Sequence, residues 1–366
     1  MKKTILALIL SLTLILSTIT LAGCNTRKKI VVYNWGEYIA EDTIEKFEAK
    51  YPEYEVVYRL FDDNEKMYPK IGKDSFDVIV PSDYMVVKLM KEGKLQKPNM
   101  ANMPNVAKYL DESLKGIAFD PDKSISDQVY SYAVPYLFCT VGLIYNTKEV
   151  SMTDGTTDPK EIWKVLFDTK YKDKIGMYDS MRESIGAALN YLGYSINSTD
   201  EKELGEAKAL LIDQRKNVAP IIGIDTLKDK YTSGELVAGV AWSGDYLVCT
   251  DALEEAGKDP GMLNFVLPKG SNFAVDMMCI PANAKNVKGA ELFINYMYEP
   301  DIALANTEYV GYSSPNKEAI AQLPEEIRSN KSFYPDKETF STLELYYTSD
   351  LIDTTYDNIW QQVMAN

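Results

Sequence analysis

The chain predicts an α/β protein of two domains, on three observations. Short apolar runs alternate with segments of helical spacing, and that alternation implies a mainly parallel sheet with right-handed crossovers. Once an N-terminal leader is set aside, 343 of the 366 residues remain, too many for one ordinary core. Several of the apolar runs end in acid and aromatic clusters, and ligands of open α/β sheets lie at the carboxyl ends of strands.

The leader is read from Lys2 and Lys3, an apolar run from Ile5 to Leu21, and the small residues that end it. Leu21-Ala22-Gly23-Cys24 resembles the lipobox of bacterial lipoproteins, which makes Cys24 the acylated first residue of the mature chain. The competing reading is a membrane anchor, since a 17-residue run lies at the lower limit of a span.

Ile30-Val31-Val32-Tyr33 reads as a buried strand, followed by Asn34-Trp35-Gly36-Glu37-Tyr38 and a helix from Asp42 to Glu48. Glu55 to Leu60 is a second strand and Asn64 to Ile71 a helix. Phe76 to Val80 is a third strand ending in Pro81-Ser82-Asp83-Tyr84, with a helix from Met85 to Glu92 stopped by Gly93. Residues 98–127 read as irregular. Tyr130 to Pro135 and Phe138 to Tyr145 read as extended stretches that cross between domains. Helices follow at Pro159–Phe167, Ser184–Leu192 and Asp200–Gln214, with a strand at Lys174–Tyr178 leading into Asp179-Ser180-Met181-Arg182-Glu183. Leu236–Ala241 is a strand ending at Trp242-Ser243-Gly244-Asp245-Tyr246, and Asn264–Leu267 is another. Phe273 to Pro281 is an apolar strand containing one acid, Asp276. Gly289–Met297 and Asp301–Glu308 are helices, Gly311–Asn316 is a loop, and the tail from Glu325 reads as mostly helical.

Composition narrows the chemistry. Histidine is absent, which excludes a His-based triad and a zinc–His site. Cys139, Cys249 and Cys279 lie in apolar settings at wide spacing; they read as small core residues, not as a disulfide framework or zinc site. The formal net charge of −15 argues against nucleic acid as a partner and favours cations. There is no phosphate loop, dinucleotide fingerprint or nucleophile elbow, so no cofactor is expected. Asp179 and Glu183 are a possible glycosidase pair, though no other catalytic signature accompanies them.

The clusters share one chemistry. Trp35, Glu37 and Tyr38 place a carboxylate between two electron-rich rings, and taken alone they fit core packing as well as cation binding. Ser82 and Tyr84, Asp179 with Glu183, Trp242, Asp276 and Tyr312 repeat the combination. Asp276 is the sharpest of them, because a carboxylate in an apolar strand is costly to bury without a partner. Rings that stack on methylenes and acids that accept ammonium hydrogen bonds suit an organic polycation.

Tyr33-Asn34-Trp35-x-Glu37-Tyr38, Met67-Tyr68, Val80-Pro81-Ser82-x-Tyr84, Arg182-Glu183, Leu192-Gly193-Tyr194-Ser195, Trp242-x-Gly244, Ile280-Pro281-Ala282-Asn283-Ala284-Lys285-Asn286 and Gly311-Tyr312-x-x-Pro315-Asn316 occur in this order. Over essentially the whole mature length the chain resembles the spermidine/putrescine-binding proteins of bacterial ABC importers. That resemblance implies a two-lobed periplasmic-binding-protein-like fold of type II, with a polyamine closed between the lobes. It implies lobes of residues 28–137 with 277–312, and 138–276 with 313–366. It implies a monomer without enzymatic activity, held by the lipid on Cys24 at the outer face of the cell membrane, or periplasmic where an outer membrane exists. Such a protein works with ABC permease subunits.

The resemblance assigns Trp35, Glu37, Tyr38, Ser82 and Tyr84 to one wall and Glu183, Trp242, Asp276 and Tyr312 to the rest, with Asp276 and Glu183 each serving a ligand nitrogen. The chain departs from spermidine-preferring members at Ser180, where they carry Asp (here Asp179 stands beside it), and at Ala274, where they carry Trp. Tyr346 stands near a family Gln. These departures leave open which polyamine is preferred, and another organic cation or small solute is the alternative.

Overall fold

The computed structural model describes residues 27–114, 117–119 and 125–366. The leader and Cys24 lie outside them. Strand β1 (Lys28–Trp35) pairs in parallel with β2 (Tyr54–Phe61) on one side and β3 (Val78–Ile79) on the other. Helix α1 (Thr43–Lys50) connects β1 to β2 and buries Thr43 and Phe47, one turn apart. Helix α2 (Asp83–Lys91) follows β3, and Gly93 ends that segment with φ of +66°, a conformation glycine adopts at no steric cost. Strand β4 (Leu95–Gln96) then adds to the sheet.

The centre of the molecule is β5 (Ala133–Asn146), fully buried over 14 residues. The two stretches read in the sequence are thus one strand. Pro135 is accommodated because the register slips beside it: Asp276 faces Leu137 and Met277 faces Pro135, leaving Tyr136 as the extra residue of a bulge.

The second half carries α3 (Pro159–Phe167), β6 (Ile175–Tyr178), α4 (Met181–Leu192) and α5 (Glu201–Asn217). Asp158 caps α3 and Asp200 caps α5, each through side-chain bonds to backbone N–H groups. Then come β7 (Ile221–Gly223), α6 (Thr226–Ser233), β8 (Ala238–Trp242), α7 (Ser243–Glu255) and β9 (Leu263–Val266). Strand β10 (Phe273–Pro281) returns to β5, and α8 (Val287–Met297), α9 (Pro300–Val310) and α10 (Asp350–Met364) complete the chain.

One sheet runs through the whole, in the order β2-β1-β3-β10-β5-β8-β6-β7. Its outer pairs are parallel, as crossover helices require, whereas β5 and β10 join the halves as antiparallel neighbours. Up to Thr140, β5 pairs with β10; from Val141 onward it pairs with β8 and β9. Apolar side chains divide accordingly. One cluster gathers around Trp163, Ile185 and Val240, with Tyr356 of α10 packed in. Two others cover the faces of the β1–β3 half, around Phe293 and Phe76.

Several elements differ from the sequence reading. Asn64–Met67 is a short helix that tightens to 3-10 geometry over Tyr68–Lys70, because Pro69 lacks the N–H for another α-turn. The tail has only single turns before α10, and Glu344 lies extended against Asn272. The polar helix α6, the short strand β7 and the helix α7 have no counterpart in the sequence reading.

Candidate functional site

A cavity of about 210 Å3 lies where the two halves meet. Drug-sized pockets occupy roughly 300–1,000 Å3, so this one suits a small solute. Trp35 reaches it from the end of β1, Glu37 and Tyr38 from the turn that follows, and Ser82 and Tyr84 from the start of α2. Ser180 and Glu183 reach it from the start of α4, Trp242 from the end of β8, Ala274 and Asp276 from β10. Tyr312, Tyr346 and Cys139 also line it. Helices α2, α4 and α7 all begin here, and their positive ends would disfavour a cation; each has an acid in its first turn, Asp83, Glu183 and Asp245.

Asp276 is 8% exposed. Its two oxygens accept from the Tyr38 hydroxyl and the Ser82 hydroxyl, each at 2.6 Å. The partner its burial demands is thus a pair of neutral donors, not a cation. Burial pushes its pKa up to about 6, with the two hydroxyls pulling the other way. The surroundings fix both donors. Asn64 donates to Ser82 Oγ at 3.0 Å and accepts from the Ser82 N–H at 3.2 Å. Tyr136, the bulged residue of β5, donates its hydroxyl to the Tyr38 carbonyl at 2.7 Å. Tyr38 meets Tyr312 edge-on, with centroids 5.3 Å apart.

Aromatic walls stand around this carboxylate. Trp35 donates its indole N–H to the Val80 carbonyl at 2.8 Å and packs on Phe61. Trp242 stacks on Tyr178 at 4.3 Å. Tyr312 lies against the start of α7, where a Cβ on Gly244 would sit 1.8 Å from its ring, so glycine there is a packing requirement. Tyr84 donates to Glu65 at 3.0 Å, and the Arg182 guanidinium covers its ring at 4.8 Å. Burial pushes Glu65 up to about 8.

Glu183 accepts from the Ser180 hydroxyl, and burial raises its pKa. Asp179 does not join this group. The backbone is extended through Ser180, so successive side chains point to opposite sides: Tyr178 is buried, whereas Asp179 is exposed and accepts from the Trp360 indole at 3.3 Å. Asp179 therefore neither lines the cavity nor faces Glu183 as a catalytic pair would.

The sequence reading singled out neither Asp245 nor Lys228. Asp245 is buried and accepts from Tyr178 at 2.5 Å; burial pushes it up to about 6 against the pull of Lys228. Lys228 Nζ lies 3.2 Å from Asp225 on its own helix and 3.0 Å from Glu37, across the cavity. Burial opposes its charge, but Asp245, Asp225 and Glu37 outweigh that and hold its pKa above the ordinary value. Glu37 reaches it from a left-handed backbone, φ 49°. Asp245 stood in a stretch already marked by Trp242. Lys228 had no local signal, since its cross-cavity partner is 191 residues away in sequence.

Cys139, Cys249 and Cys279 are buried free thiols. Among the described residues no helix is long and apolar enough to cross a membrane.

Comparison with known proteins places this geometry in a family. A spermidine/putrescine-binding periplasmic protein of Salmonella typhimurium is 34% identical over 352 residues, covering 94% of each chain. The spermidine/putrescine ABC transporter substrate-binding protein PotD of Streptococcus pneumoniae, a solved structure, superposes with a TM-score of 0.72 at 34% identity, over 92% of this chain and 99% of that one. The Tp0655 lipoprotein of Treponema pallidum gives a TM-score of 0.72 at 26% identity, over 92% and 99%. The family model described as bacterial extracellular solute-binding protein matches residues 42–334. The chain belongs to the bacterial extracellular solute-binding proteins, with the two-lobed fold of their polyamine-binding members.

Proposed function

We propose that this chain is the substrate-binding component of an ABC importer that closes on a polyamine and passes it to a membrane permease. The observation that carries the reading is Asp276, a buried carboxylate whose bonded partners are hydroxyls, set among the rings of Tyr38, Trp242 and Tyr312. An ammonium group arriving there gains a charge-assisted hydrogen bond and an aromatic surface for its methylenes. Glu183 offers a second such acceptor. Trp35, Glu37, Ser82, Tyr84 and Ser180 complete the proposed lining.

The reaction is binding without chemistry. Residues 28–137 with 277–312 form one proposed lobe, and 138–276 with 313–366 the other. The segments around Phe138, Phe273 and Ser313 lie side by side, with Phe138 bridged to Ser313, which supports a proposed hinge of three crossings there. Ligand contacts to both sides at once are what drive closure. The proposed protein is a monomer, anchored through lipid on Cys24 at the extracytoplasmic face; the lipobox and the lipoprotein description of the Treponema relative support this. Two acyl chains hold a protein to a membrane where one does so only marginally.

Calorimetry with putrescine, spermidine and spermine tests the reading: at least one is expected to bind below millimolar concentration, and binding by none overturns it. Ala274 and Ser180 on the cavity wall favour, as a second reading, a different organic cation, which a thermal-shift panel of cations separates by a larger shift than any polyamine gives.

A further inference from the structure

The carboxylates of the cavity are not equivalent. Asp276 accepts from Tyr38 and Ser82, and Glu183 from Ser180, all hydroxyls. At the other end, Glu37 and Asp225 meet the Lys228 ammonium at 3.0 and 3.2 Å, with Asp245 behind them. Lys228 thus supplies from the protein what a ligand nitrogen supplies elsewhere in the site.

The two groups that meet across the cavity are held differently. The Lys228 side chain is 17% exposed and that of Glu37 is 64% exposed. Lys228 is tethered within its own half, by Asp225 at the start of α6 and by the field of Asp245. Withdrawing it would leave Asp245 as a buried charge without its cation, which is costly. The lysine therefore stays when a ligand enters, and it is Glu37 that has freedom to exchange.

We propose that Lys228 is a specificity-determining residue, a built-in cation that fills one ammonium position of the cavity and makes the site select molecules with two ammonium groups over those with three. A diamine places its charges on Asp276 and Glu183. A third ammonium would be driven against Lys228, and repulsion of a wrong ligand is as effective in setting specificity as attraction of the right one. The inference rests on the polyamine reading of this cavity and adds to it the charge of the preferred ligand.

The test is calorimetric titration of the full mature chain with putrescine and spermidine, for the natural protein and for Lys228→Met, Lys228→Arg and Lys88→Met. Lys88 makes another ion pair between the halves, to Asp353 at 2.7 Å, and does not line the cavity. The natural protein is expected to bind putrescine more tightly than spermidine. Lys228→Met is expected to move the ratio of the two affinities at least tenfold toward spermidine. Lys228→Arg, which keeps the charge, should hold the ratio within threefold, and it stands as the folded control. Lys88→Met should change both affinities by one factor and leave their ratio alone. A Lys228→Met protein that binds putrescine with the natural ratio, or that shifts both affinities equally, overturns the inference while leaving the polyamine reading intact. A natural protein that prefers spermidine also overturns it. Binding of neither ligand by the natural protein overturns both.

Discussion

The Asp276 wall and the Lys228 end of the same cavity solve the problem of buried carboxylates in opposite ways. At Asp276, two hydroxyls at 2.6 Å stabilise the charge without cancelling it. At Glu37, Asp225 and Asp245 a lysine already supplies the opposite charge. A hydroxyl donor leaves a carboxylate with net attraction for an arriving cation; a lysine leaves it little. Under the proposed function, binding energy would come from one end and selectivity from the other.

The largest expected effect breaks the first of these assignments. Asp276→Asn keeps shape and removes charge, and charge-assisted hydrogen bonds contribute roughly 1.5–3 kcal/mol, so affinity should fall about 10- to 150-fold. Asp225→Asn, at the neutralised end, should change putrescine affinity by less than about threefold on the same scale. Calorimetry on both variants checks this, and equal losses would erase the distinction between the two ends.

A second effect comes from protonation. Asp276 is raised by burial to about 6, so a ligand ammonium that needs the ionised form should bind about tenfold more weakly at pH 5 than at pH 7. Proton release on binding should be measurable near pH 6 as a buffer-dependent enthalpy, and it should diminish in Asp276→Asn. The ligand-free fold has the opposite dependence. Asp276 and Asp245 both titrate near 6 in the folded chain and near 3.8 when unfolded. Their contribution to stability is full below about pH 4 and is lost as pH rises through 6. Denaturant titrations from pH 4 to 7 read that slope, to which the raised Asp83 and Glu65 add with the same sign, and saturating ligand should reduce it by the share of Asp276.

Gly244→Ala probes the aromatic surface that the two ends share. The new methyl would meet the Tyr312 ring at 1.8 Å, far inside contact, and the backbone there cannot retreat without moving α7. Overpacking of this kind costs about 1–3 kcal/mol. Thermal unfolding should show that loss, together with a severalfold weaker affinity as Tyr312 is pushed off Tyr38.

These contrasts also explain what the sequence made visible. Strands such as β1 and β10 were legible because burial on both faces leaves near-continuous apolar runs, Ile30 to Tyr33 and Met277 to Ile280. Asp276 was legible for the same reason, as a charge where none belongs. Helix α7 was not, since it opens on Ser243-Gly244-Asp245 without a capping side-chain bond and has no clear apolar stripe. Asp179 was misplaced because one residue of extended backbone decides which side a carboxylate faces, and composition does not carry that phase. Lys228 was invisible because its meaning depends on Glu37, 191 residues away in sequence, which only the folded chain brings within 3.0 Å.

The smallest expected effect is the most selective. Ser82→Ala removes one of the two hydroxyls from Asp276 and leaves Tyr38 in place. That bond to the carboxylate is present with and without ligand, so most of its energy cancels from the affinity, which should fall only about threefold at neutral pH, on the order of 0.7 kcal/mol. The lost donor favoured the ionised carboxylate, so its removal raises the Asp276 pKa further above 6. The variant's loss should then grow as pH falls toward 6 and shrink toward pH 8, where both proteins hold Asp276 fully ionised. Titrations at pH 6, 7 and 8 read this directly. A loss of constant size across that range would mean that Ser82 serves the site by packing alone, and that Asp276 draws its readiness for a cation from Tyr38.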